Sequence, residues 1–136
     1  MNLCEKKICS ILVAQRTQVY LGQYKFDNNK LVEVKGVDVV EIDELIEELK
    51  NTNEEWIIVG EAVYKYEEKI KAASNINIPA PSHNVSKASS LCSIAIDKYK
   101  NNVDVYDCYT INPLYIRKSQ AEVQYDEKMK RLSDGK

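Results

Sequence analysis

Histidine occurs once in this chain, at position 83, and the four cysteines, at 4, 9, 92 and 108, form no CxxC pair. A His/Cys metal centre needs several such ligands at short spacing, so no metal is expected and the cysteines read as free thiols. Glycine is almost as scarce: Gly22, Gly36, Gly60 and Gly135 stand alone, in neither GxG nor P-loop spacing. That excludes a motif-built phosphate cradle, and no cofactor is expected. No apolar run approaches the roughly 20 residues of a membrane span. The opening MNLCEKKICS lacks the apolar core of a secretory signal, which makes the cytoplasm the expected compartment. Positive charge is not in excess either. A net charge of -2 and a pI of about 5.5 argue against a general nucleic-acid clamp, which would carry a basic face.

What is present is an ordinary globular composition over 136 residues, 44% apolar and 29% charged, enough for one continuous core. Ile8 to Ala14 is mostly apolar and β-branched and predicts a buried strand. Gln15-Arg16-Thr17 suits a hairpin turn. Gln18 to Phe26 then alternates, with Val19, Leu21 and Gln23 on one side and Tyr20, Gly22, Tyr24 and Phe26 on the other. Asp27-Asn28-Asn29 predicts a second turn and Lys30 to about Val34 a third strand, completing a meander.

The period then changes. Ile42, Leu45, Ile46 and Leu49 fall on one helical stripe, with Asp43 as the expected N-cap. Trp56 to Val59 is a short apolar run closed by Gly60, and Val63 to Ala73 reads as a helix with Tyr64, Ile70 and Ala73 inward. Strand, helix, strand, helix predicts parallel pairing through right-handed crossovers. Asn75 to Asn84 holds Pro79 and Pro81 and reads as a loop or edge segment. Ser86 to about Tyr99 follows as a helix whose Ala88, Leu91, Cys92, Ala95, Ile96 and Tyr99 share a face, with Val85 as a hydrophobic staple. Residues 103–117 read as extended. Ser119-Gln120-Ala121-Glu122 is a capping box opening a tail helix striped with Ala121, Tyr125, Met129 and Leu132. The expected division is a body over 1–118 and a helical tail over 119–136.

Little catalytic chemistry is legible. Cys92 with His83 is conceivable as a nucleophile pair, but its place on an apolar stripe predicts an inert buried thiol. The many glutamates sit mainly on outward helix faces, where solvation explains them. Glu61 is the exception: it follows Gly60 at the carboxyl end of a strand, where open α/β sheets bind ligands. A carboxylate stabilising a helix N-terminus explains it equally well. Tyr115 and Tyr125 beside Arg117 and Lys118 have the composition of a base-stacking platform or a protein interface. The acids of the tail favour the interface.

Pro113-Leu114-Tyr115-Ile116-Arg117-Lys118-Ser119-Gln120-Ala121-Glu122 resembles the closing signature PLYLRKSQAE of the bacterial TsaB (YeaZ) family, with one conservative change. Val13 to Tyr20 is similar to that family's DARRGEVY hairpin, Asp43 to Leu49 to its leucine-and-glutamate helix, and Val59 to Ala62 to its vGdg strand end. Pro81 to Leu91 is similar to its proline loop and ASS helix start. Within the hairpin only Arg16 keeps the family's charge, since Val13, Gln15, Thr17 and Gln18 replace the other polar groups.

The resemblance implies the second lobe of a two-lobed protein of the actin, sugar kinase and heat-shock ATPase superfamily, with an α/β, ribonuclease H-like fold. The family's opening IDTS strand is not in this sequence, so a lobe standing alone is expected. It also implies a non-catalytic scaffold in making threonylcarbamoyladenosine on tRNA, partnered by a TsaD-like transferase and a TsaE-like ATPase. No direct nucleic-acid or membrane contact is expected. Arg16, Tyr115, Arg117, Lys118 and Tyr125 are the interface or lobe-junction candidates, and Glu61 the ligand candidate. The alternatives are a small hydrolase using Glu61 or a Cys/His pair, and a free-standing protein-binding module. A lobe without its neighbour also predicts exposed apolar surface and hence a homodimer.

Overall fold

The structure, a computed structural model, describes residues 6–28, 30–116 and 119–134. Strands β1 (Lys7–Val13), β2 (Gln18–Asp27) and β3 (Lys30–Glu41) form an antiparallel meander. Helix α1 (Ile42–Lys50), strand β4 (Trp56–Val59), helix α2 (Ala62–Lys71) and strand β5 (Ile76–Asn77) follow. The five strands make one sheet in the order β3-β2-β1-β4-β5, with β4 parallel to β1 and β5 parallel to β4. The parallel half anticipated from strand–helix alternation is therefore present, and the fold is a mixed α/β sheet with helices.

One face of the sheet carries the core. Cys9 and Ile11 of β1, Val19 and Leu21 of β2, and Trp56 and Ile58 of β4 meet Ile42, Leu45, Ile46 and Leu49 of α1 and Val63, Tyr66 and Ile70 of α2. The period-2 and period-3.6 stripes of the sequence converge here, which is the physical reason both patterns specify one core. Acids in the first turn of α1 and Lys50 in its last complement the helix dipole. The turn after α1 is held by side chains: Thr52 Oγ1 donates to Leu49 O at 2.7 Å and accepts from Trp56 Nε1 at 2.8 Å. Asn75 Nδ2 faces three carbonyls, Leu49 O at 2.8 Å, Glu54 O at 3.1 Å and Thr52 O at 3.3 Å. Carbonyls at a helix C-terminus lack intrahelical donors, and this amide supplies one.

Several boundaries differ from the sequence reading. β3 runs to Glu41 rather than Val34, because two bulges interrupt its alternation: the register against β2 shifts between Leu21 and Gln23 and again between Gln23 and Tyr24. Asp43 does not cap α1. The N-cap is Glu41, without a side-chain cap bond, and Asp43 instead pairs with Lys69 at 2.6 Å. In α2 the inward residues are Ala62, Val63, Tyr66 and Ile70, with Ala73 buried just beyond as expected, whereas Tyr64 faces out, since it falls off the stripe that Val63, Tyr66 and Ile70 form at helical spacing. The proline segment, in keeping with the expected loop or edge segment, holds the edge strand β5 and a 3-10 turn at Pro81–His83.

Helix α3 (Ala88–Lys100) forms as expected, but none of its residues is buried. Leu91, Ile94, Ile96 and Tyr99 are all exposed, as is Val85, so the expected staple does not close. Cys92 is exposed too, which corrects the expectation of a buried thiol. An amphipathic pattern fixes which face of a helix is apolar; it does not guarantee a covering surface within the same chain.

The chain divides between Tyr106 and Asp107 into two compact units. The second opens on a turn built by Asp107, whose Oδ1 accepts from Tyr109 N, Thr110 N and Thr110 Oγ1 at 2.8–2.9 Å. These bonds, that of the Thr110 hydroxyl foremost, hold the Asp107 carboxyl below the usual carboxylate range. Residues 111–116 are irregular and exposed. Helix α4 (Gln120–Asp134) begins with the anticipated capping box: Ser119 N donates to Glu122 Oε2 at 2.7 Å, and Glu122 N to Ser119 Oγ at 3.3 Å.

Candidate functional site

The carboxyl ends of β1 and β4 lie side by side, and three connections meet there: the β1–β2 turn, the β4–α2 junction and the proline segment. In open sheets with parallel strands this rim is where ligands gather. Each connection is shaped by its own residues.

The β1–β2 turn closes through Ala14 N to Gln18 O at 3.1 Å and Gln18 N to Gln15 O at 2.8 Å. Arg16 adopts φ +54, the left-handed conformation that short hairpin loops require at one position. Its carbonyl points at α2, where Lys65 Nζ donates at 2.8 Å and the Tyr66 hydroxyl at 3.2 Å. The same turn is tied to the start of α1, since Thr17 Oγ1 donates to Glu41 Oε2 at 2.6 Å and Ile42 N to Thr17 O at 3.1 Å. Arg16 itself is exposed, and among the described residues no carboxylate pairs with its guanidinium.

Gly60 ends β4 at φ +113, where a side chain is strained, and a Cβ there would come within 2.1 Å of Ile11 O. A glycine is the residue that lets β4 pass this close to β1 and still turn into α2. Its N–H donates to Oδ1 of Asn84 at 3.3 Å, and Asn84 is 3% exposed. The Tyr64 hydroxyl donates to Pro81 O at 3.0 Å, so α2 also grips the proline segment. Glu61 sits between Gly60 and α2, exposed, and makes no side-chain cap bond.

Arg16 and Glu61 therefore belong to connections of the same rim, one on each strand end. Tyr115 and Tyr125 lie in the second unit, both exposed, and Tyr125 stands on α4. Arg117 and Lys118 lie outside the described residues. The single histidine turns its Nδ1 toward Ala80 O at 3.3 Å and Ser82 Oγ at 3.4 Å, and no hydrogen bond joins it to Cys92 among the described residues. No group of three His, Cys, Asp or Glu that could hold a metal occurs among the described residues. Chemically, the rim is a scaffold in which tyrosine hydroxyls and the Lys65 ammonium donate to backbone carbonyls and the Asn84 side-chain oxygen accepts from a backbone amide, with Arg16 and Glu61 exposed to solvent.

Asn84, Lys65 and Tyr66 escaped the sequence reading. A loop asparagine and a charged residue on an amphipathic helix give no local sign that they reach a carbonyl or amide far along the chain. Removing the Asn84 amide is expected to cost about 1–3 kcal/mol, because the half-buried Gly60 N–H loses its acceptor. In urea denaturation Asn84→Ala should show that loss and Asn84→Asp, which keeps an acceptor, should recover most of it. Equal stability of the Ala variant and the parent would contradict the assigned role.

A solved structure from Pseudomonas aeruginosa, an uncharacterized protein with similarity to peptidase YEAZ, matches with a TM-score of 0.58 at 15% identity. The match covers 83% of this chain and 50% of that one. The two share a fold. At that identity the likeness establishes fold alone, and the chain spans about half the length of the YeaZ-like protein it matches. No family model matches the sequence, and no curated protein does. No helix among the described residues is long and apolar enough to cross a membrane.

Proposed function

We propose that this chain is the second, ribonuclease H-like lobe of a TsaB-type protein and acts as a non-catalytic scaffold in forming threonylcarbamoyladenosine on tRNA. The shared fold with the YeaZ-like structure carries this reading, since it covers most of this chain and half of that protein. Two further observations support it. The strand order β3-β2-β1-β4-β5, with β2 reversed against its neighbours, is compatible with a ribonuclease H-like sheet. The signature-like run from Pro113 to Glu122 leads into a helix whose capping box is formed.

On this reading the working unit includes a first lobe, the catalytic partner is a TsaD-like transferase, and a TsaE-like ATPase joins them in the cytoplasm. Arg16, at a turn fixed by two donors to its own carbonyl, is a contact point for a neighbouring surface rather than a catalytic group. The test is co-purification. The chain joined to a TsaB-type first lobe should retain a TsaD-like subunit on an affinity column and support modification of tRNA in a reconstituted reaction. A folded two-lobe protein that ignores the TsaD-like subunit would overturn the proposal.

The second reading, a free-standing protein-binding module, is favoured by one observation: Tyr109, Leu114 and Tyr115 of the second unit are each at least 80% exposed. Exposed tyrosines such as Tyr109 and Tyr115 anchor many protein contacts. That reading requires a partner to bind the chain without any first lobe, so the same column run with the chain alone separates the two.

A further inference from the structure

We draw no further inference here: the strongest candidate, the outer edge of β3 with Leu31, Val32, Val34 and Val37 exposed, carries nothing because nothing in the structure shows what covers it.

Discussion

Replacing Gly60 by alanine should cost about 4 kcal/mol or more, among the largest single-residue effects open to this chain. Two independent penalties meet at this position. The backbone stands at φ +113, where an L side chain is strained by roughly 1–3 kcal/mol. The added Cβ would also fall within 2.1 Å of Ile11 O and about 3 Å of Ile11 C and N. Those atoms are backbone of β1 and cannot swing aside as a side-chain tip would. Relief requires parting β1 from β4, the parallel pair at the centre of the sheet. Loss of 4 kcal/mol corresponds to a fall in melting temperature of about 10–20 °C for a chain of this size. Gly36→Ala is the control: its nearest neighbour would be Glu33 Oε1 at 3.5 Å, ordinary contact, and its φ is not positive. Thermal unfolding followed by circular dichroism should show Gly36→Ala near the parent and Gly60→Ala far below it. A Gly60→Ala protein melting within about 5 °C of the parent would refute the close approach of the two strands.

Alkaline pH should destabilise the protein through Cys9. This thiol is fully buried in the core, and burial, assisted by the nearby Glu48 carboxylate and opposed by Lys35, pushes it from 9.0 up to about 12. Below pH 9 the thiol is neutral in both folded and unfolded chains, and its contribution does not vary. Between 9 and about 12 the unfolded chain gives up this proton while the folded chain keeps it. Stability therefore falls as pH rises through that window, by roughly 4 kcal/mol in total, and levels off above it. Tyrosines and lysines titrate in the same range, so the informative quantity is a difference. Cys9→Val, similar in size and without a proton to lose, should lose less stability between pH 9 and 11 than the parent in urea titrations. Superimposable curves would show that Cys9 does not resist ionisation. Thiol labelling gives a second view: Cys92 and Cys108, both exposed, should react at once with a disulfide reagent, and Cys9 only on unfolding.

How far the sequence carried these conclusions depended on whether the cause was local. The stripe of Ile42, Leu45, Ile46 and Leu49 and the alternation of Val19, Leu21 and Gln23 were legible because each repeats at the period of its element. Gln23 followed that pattern even against its polarity: it is buried, with its Nε2 unpartnered. β3 was legible only to its middle, since Gly36 and two register shifts break the alternation that marks a strand. For α3 the helix itself was legible and the burial of its stripe was not, because burial depends on a second surface that a helical pattern does not encode. Within the rim, Arg16 and Glu61 were found from turn chemistry and strand position. Asn84, Lys65 and Tyr66 were not, because each acts on a backbone group 24 to 50 residues away.

That last distance has a kinetic side. The β1–β2 hairpin is a local structure, able to form early from neighbouring residues, whereas the Arg16 carbonyl receives its donors only once α2 has docked on the sheet. Contacts of long sequence separation close late, after the entropy of the intervening loop has been lost. The turn is thus a place where an early-forming unit is latched by a late-forming one. Weakening the latch would act mainly on the rate at which the native state opens, leaving the rate at which the hairpin forms almost untouched. The rim at the carboxyl ends of β1 and β4 thus owes its shape to bonds between segments far apart in the chain.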